Sequence, residues 1–125
     1  MTYSEKFSGT RVLIVEDEFL LAEETRRKLE ALGSTVIGPT PDVDKALEYL
    51  DTTQVDAAIL DIYVAGEFVF PVAERLQDMG IPFVFASAYD AKVIPPRFEG
   101  FVLCEKPFEL EKIAQALFGR ARRDH

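Results

Sequence analysis

The chain of 125 residues is 48% hydrophobic and 29% charged, the balance of one folded domain and not of a disordered segment. No apolar run approaches the ~20 residues a membrane span needs, no signal peptide opens the sequence, and a single cysteine, Cys104, excludes an internal disulfide and suits the cytoplasm. A net charge of -8 speaks against a nucleic-acid surface, which needs an excess of Lys and Arg.

Residues 1–9 are polar, show no period, and read as a flexible N-terminal arm. Val12 to Val15 form a short β-branched run, which predicts a strand buried on both faces. Three acids, Glu16, Asp17 and Glu18, follow it at once. Leu21, Thr25, Leu29 and Leu32 recur at helical spacing, and Gly33 closes that helix. Ser34 to Gly38 are the second strand. Thr40-Pro41-Asp42 then opens a helix with a capping hydroxyl, a first-turn proline and an acid near the positive end. Val43, Ala46, Leu47 and Leu50 are its inward stripe.

Ala57 to Leu60 form the third strand, which ends in Asp61. A loop leads to a third helix beginning near Pro71, with Val72, Ala73 and Leu76 inward. Pro82 to Ala86 are the fourth strand, ending at Ser87-Ala88-Tyr89. The stretch from Asp90 to Glu99 holds Pro95-Pro96, so any helix there is short. Phe101 to Cys104 are the fifth strand, followed by Glu105-Lys106-Pro107. Leu110, Ile113, Ala114 and Leu117 mark a final amphipathic helix, and residues 121–125 are a C-terminal tail.

Five strands alternating with helices over short connections predict an α/β domain over residues 10–120. Its form is a flavodoxin-like (βα)5 fold, a doubly wound five-stranded parallel sheet in the order 2-1-3-4-5. The strand ends then carry the chemistry. Strand one delivers Glu16 and Asp17, strand three Asp61, strand four Ser87 and strand five Lys106, all at one sheet edge. With strands one and three adjacent, their ends lie about 5 Å apart. Carboxylates that close repel one another, and a hard divalent cation resolves the repulsion. Mg²⁺ suits an oxygen-only site, and no Cys/His cluster is present for zinc or iron.

An acidic pair, a strand-three Asp, a strand-four Ser followed by Ala, and a strand-five Lys-Pro together resemble the receiver domain of two-component response regulators. The resemblance runs from about Thr10 to Arg120. Most receivers carry Pro four residues after the acceptor Asp, where this chain has Ala65. That loop, and the run Pro82-Phe83-Val84-Phe85-Ala86-Ser87-Ala88-Tyr89, resemble the proteobacterial subgroup called FAT GUY after its Phe-Ala-Thr-Gly-Tyr run. Here Ser87 stands for the Thr and Ala88 for the Gly.

The resemblance implies a stand-alone, cytoplasmic bacterial response regulator of a phosphorelay. Asp61 is its phosphoacceptor, and the donor is a sensor histidine kinase or a histidine phosphotransfer protein. Mg²⁺ is held by Asp17 and Asp61 with the Tyr63 backbone carbonyl, and Glu16 acts through a coordinated water. Ser87, Ala88, Lys106 and Pro107 form the phosphoryl-binding switch. The aromatic residue that many receivers place three positions before the lysine is replaced by Leu103, which makes Tyr89 the candidate reporter of phosphorylation. The implied output is binding to a downstream protein, by a monomer or weak homodimer, without nucleic acid or membrane. Two other readings compete: a Mg²⁺-dependent aspartyl-phosphate phosphatase, disfavoured by Tyr63 where a second acid is usual, and an unphosphorylated pseudo-receiver acting as a binding module.

Overall fold

The computed structural model of the protein describes residues 3–86, 93–98, 103–104 and 109–118. In chain order these form α1 (Tyr3–Phe7), β1 (Arg11–Val15), α2 (Phe19–Ala31), β2 (Thr35–Thr40), α3 (Val43–Thr52) and β3 (Ala57–Leu60). There follow β4 (Tyr63–Val64), β5 (Glu67–Phe68), α4 (Phe70–Met79), β6 (Phe83–Ala86), a 3₁₀ turn (Pro96–Phe98), β7 (Leu103–Cys104) and α5 (Leu110–Phe118). Five strands make one parallel sheet in the order β2-β1-β3-β6-β7, the doubly wound 2-1-3-4-5 arrangement expected from the alternation of elements.

The sheet is apolar on both faces because helices cover both. Leu13, Val15, Ala58, Leu60, Phe83 and Phe85 point to one side and pack with Val43, Ala46 and Leu50 of α3 and Val72, Ala73 and Leu76 of α4. Val12, Ile14, Ala57, Ile59 and Val84 point to the other and meet Leu29 of α2 and Ile113, Ala114 and Leu117 of α5. Alternate residues of one strand therefore feed two separate cores, which is why these strands read as unbroken apolar runs.

Four local features differ from the sequence reading. The arm expected at residues 1–9 contains α1, which is anchored. Phe7 is fully buried, its ring stands edge-on to Phe118 at 5.3 Å, and its carbonyl accepts the Ser34 hydroxyl at 2.7 Å. The cap of α3 is Asp42 and not Thr40. The Asp42 carboxylate accepts the backbone N–H groups of Asp44 and Lys45, while the Thr40 hydroxyl accepts from Asp42 N. Thr40 is instead the last residue of β2, two positions beyond the expected end. The loop after Asp61 holds an antiparallel hairpin, with Tyr63 opposite Phe68 and Val64 opposite Glu67. The proline-interrupted stretch, by contrast, agrees with the reading: within its described residues 93–98, Pro96–Phe98 form a short 3₁₀ turn.

Candidate functional site

Register brings the acids together. Val15 of β1 lies beside Leu60 of β3, so the next residue on each strand, Glu16 and Asp61, emerges at the same edge of the sheet. Backbone bonds extend both strands to that point. Asp61 N donates to Val15 O at 2.9 Å, and Glu16 N donates to Thr40 O at 2.9 Å. One carboxylate oxygen from each of Glu16, Asp17 and Asp61 lies within 4.8 Å of the other two. Glu16 and Asp61 are each only 6% exposed, whereas Asp17 is open to solvent. The pocket is thus two buried acids with a third at its mouth.

Backbone amides restrain two of these carboxylates. Glu16 Oε2 accepts from Glu18 N at 2.9 Å, and Asp17 Oδ2 accepts from Ala65 N at 3.1 Å. The second bond reaches across 48 residues of chain and depends on the hairpin. Ala65 and Gly66, its two central residues, have φ of +48° and +84°, the double positive sign of a type I′ turn. A proline at 65 fits neither requirement, since its ring fixes φ near −65° and it has no N–H to give Asp17. Ala65 is therefore tied to this loop geometry, which a proline would not allow.

Tyr63 stands two residues beyond Asp61 at the start of the hairpin, 37% exposed, with its ring edge-on to Phe68 at 5.0 Å. The expected site residues Ser87, Ala88, Tyr89, Lys106 and Pro107 lie outside the described residues, as does the expected tail at 121–125. What the sequence reading missed is the Ala65 N–H. A backbone donor leaves no side-chain signature, and Ala-Gly is a weaker hairpin signal than Asn-Gly.

No family model matches the chain. Among solved structures, SdrG from Sphingomonas melonis Fr1 is 38% identical and superposes with a TM-score of 0.76, over 94% of this chain and 96% of SdrG. The response regulator PhyR from Brucella abortus is 30% identical with a TM-score of 0.77, over 93% of this chain and 51% of PhyR. The chain belongs to the receiver domains of response regulators. A BeF3-activated conformation of SdrG, 39% identical over 88% of this receiver and 94% of that chain, superposes with a TM-score of 0.70. The sensory transduction protein LytT of Bacillus subtilis is 32% identical over 111 residues, 86% of this chain and 46% of LytT. The receiver spans about half the length of the curated relatives it matches. Among the described residues, no helix is long and apolar enough to cross a membrane.

Proposed function

We propose that this receiver accepts a phosphoryl group on Asp61, in a Mg²⁺-dependent reaction, from a phosphohistidine of a sensor histidine kinase or histidine phosphotransfer protein. Its output is phosphorylation-dependent binding to another protein. The observation that carries this reading is the convergence of Glu16, Asp17 and Asp61 within 4.8 Å at the carboxyl ends of β1 and β3. The similarity to SdrG, which adopts a BeF3-activated conformation, supports it.

The donor set suits Mg²⁺, because it is all oxygen, supplies few carboxylates and leaves the mouth open for water and a phosphoryl oxygen. Asp17 and Asp61 would hold the ion with the Tyr63 backbone carbonyl, and Glu16 would act through a coordinated water. Bound there, Mg²⁺ supplies neutralisation of the charge on the transferring group. Asp61 is the nucleophile. One of its oxygens forms a bond to phosphorus as the phosphorus–nitrogen bond to the donor imidazole breaks, and the imidazole leaves with that electron pair. A carboxylate is a weak nucleophile, so positioning and charge do most of the work. Lys106 then pairs with the phosphoryl oxygens and Ser87 donates its hydroxyl to them, with Ala88 and Pro107 shaping the two loops. The added group brings roughly two negative charges, which draw both side chains inward and change the neighbouring surface.

Incubation with acetyl phosphate and Mg²⁺, followed by intact-mass measurement, tests the proposal. One stable phosphoryl adduct, lost in Asp61→Asn and in the presence of EDTA, is expected. An undiminished adduct in Asp61→Asn would place the acceptor elsewhere. Rapid donor turnover without adduct identifies a phosphatase, and no reaction identifies a binding module; either result overturns the proposal.

A further inference from the structure

The hairpin over residues 63–68 has two attachments. At its turn, Ala65 N donates to Asp17 Oδ2 at the mouth of the acidic pocket. At its base, Val69 N donates to Ile62 O at 2.8 Å, and both of those side chains are fully buried. From the base a continuous line of rings runs away from the pocket. Tyr63 meets Phe68 edge-on at 5.0 Å, Phe68 stacks on Phe70 at 5.4 Å with 5° between the planes, and Phe70 stacks on Phe98 at 5.8 Å. Phe98 is the last residue of the 3₁₀ turn and is fully buried.

The far end of this line is held as firmly as the near end. Phe98 also contacts Phe83 and Phe85 of β6 edge-on, at 6.2 and 5.8 Å. The Arg97 guanidinium lies over the Phe98 ring at 4.8 Å, and the Arg97 carbonyl accepts from Gln77 Nε2 of α4 at 3.0 Å. Each ring of the line touches the next, so displacement of one member is passed along it.

We infer that the hairpin transmits occupancy of the acidic pocket to the segment Val93–Phe98, through the Ala65–Asp17 hydrogen bond at its turn and the Tyr63–Phe68–Phe70–Phe98 ring line at its base. The inference rests on the phosphoacceptor reading given above. Asp17 would be shared between a bound cation and the Ala65 N–H, so filling the pocket would change the pull on the turn. The hairpin pivots on its buried base and carries Phe68 with it. Because Phe68 is stacked on Phe70, the motion reaches Phe98 and the turn that holds it. Phe68 is a positioning residue in this scheme; it touches no reacting atom.

Amide chemical shifts of residues 93–98, recorded before and after addition of beryllofluoride with Mg²⁺, test the inference in the full chain. Phe68 is 47% exposed, so Phe68→Ala leaves the core in place. The wild type is expected to shift clearly at residues 93–98. In Phe68→Ala those shifts fall to less than half, while Mg²⁺ affinity and the phosphoryl adduct on Asp61 stay within about twofold of wild type. Phe68→Tyr keeps the stacked ring and restores the response. Undiminished shifts in Phe68→Ala overturn the inference, and so does a wild type that forms the adduct without any shift at 93–98. Absence of the adduct in the wild type overturns the phosphoacceptor reading itself, and intact mass of separate aliquots treated with acetyl phosphate and Mg²⁺ separates the two failures.

Discussion

Replacing Ala65 by the proline common in receivers is expected to destabilise this one, and replacing it by asparagine to do the opposite. Ala65 sits at φ +48° in the left-handed region, where a β-carbon costs about 1–2 kcal/mol. A proline ring would demand a rotation of about 110° in φ from that value. It would also delete the N–H donated to Asp17, a bond to a charged acceptor worth about 1.5–3 kcal/mol when buried. Asp17 is exposed, so about 1 kcal/mol is the fitting figure for that bond. The hairpin has only two residue pairs and can relax, which limits the backbone penalty to about 1–2 kcal/mol. The sum is a loss of about 2–3 kcal/mol for Ala65→Pro. Asparagine tolerates the left-handed region, keeps the N–H and makes the favoured Asn-Gly turn, which predicts a gain of about 0.5 kcal/mol. Urea unfolding followed by circular dichroism, with the slope held common to the three proteins, measures both changes. A proline variant within about 0.5 kcal/mol of wild type would refute the turn geometry and the restraint on Asp17 that depends on it.

Three further outcomes are expected. A β-carbon at Gly38 (φ +90°) would lie 2.9 Å from Thr40 N and 3.1 Å from Ile14 O, both backbone atoms that cannot swing aside. Gly38→Ala should therefore cost about 2 kcal/mol or more in the same unfolding assay. Asp61→Asn removes one of three carboxylates within 4.8 Å. Relief of that repulsion should make the stability of Asp61→Asn less sensitive to added Mg²⁺ or salt than that of wild type, in the same unfolding assay. The Arg26 side chain, hydrogen-bonded to Glu23, holds the Glu23 carboxyl below the ordinary glutamate range. A lowered folded-state value stabilises above the unfolded value and is lost as pH falls through the folded one. Arg26→Met should let Glu23 titrate at a higher pH, read from its carboxyl ¹³C shift, and should flatten stability against pH only in the acidic range.

The parts of the fold legible in the sequence are those where one pattern spans several turns or a whole strand. Val12 to Val15 and Ala57 to Leu60 are apolar at every position because helices cover both faces of the sheet, and such runs are strands of a parallel sheet. Helix α4 announced itself through Pro71 and the Val72, Ala73 and Leu76 stripe. Helix α1 did not, because a five-residue helix has too few positions to show a period, and what holds it is tertiary: the burial of Phe7 against α5 and the Ser34 hydroxyl on the Phe7 carbonyl. At the start of α3 two capping residues stand two apart, and the hydrogen bonds of Asp42 decide between them.

For the site, the same division has a physical cause. Glu16, Asp17 and Asp61 were legible because chemistry there needs charged side chains, and the ends of adjacent parallel strands bring such side chains to one edge. Two of them, Glu16 and Asp17, accept from main-chain amides, of Glu18 and Ala65, a group which every residue but proline possesses. What selects them is backbone conformation. At position 65 the requirement is a residue that accepts positive φ and keeps its N–H, and alanine before glycine meets it without naming it. A proline there would remove the N–H that Asp17 accepts. Exchange of alanine and proline at this position thus changes how the pocket is held without altering any residue that lines it.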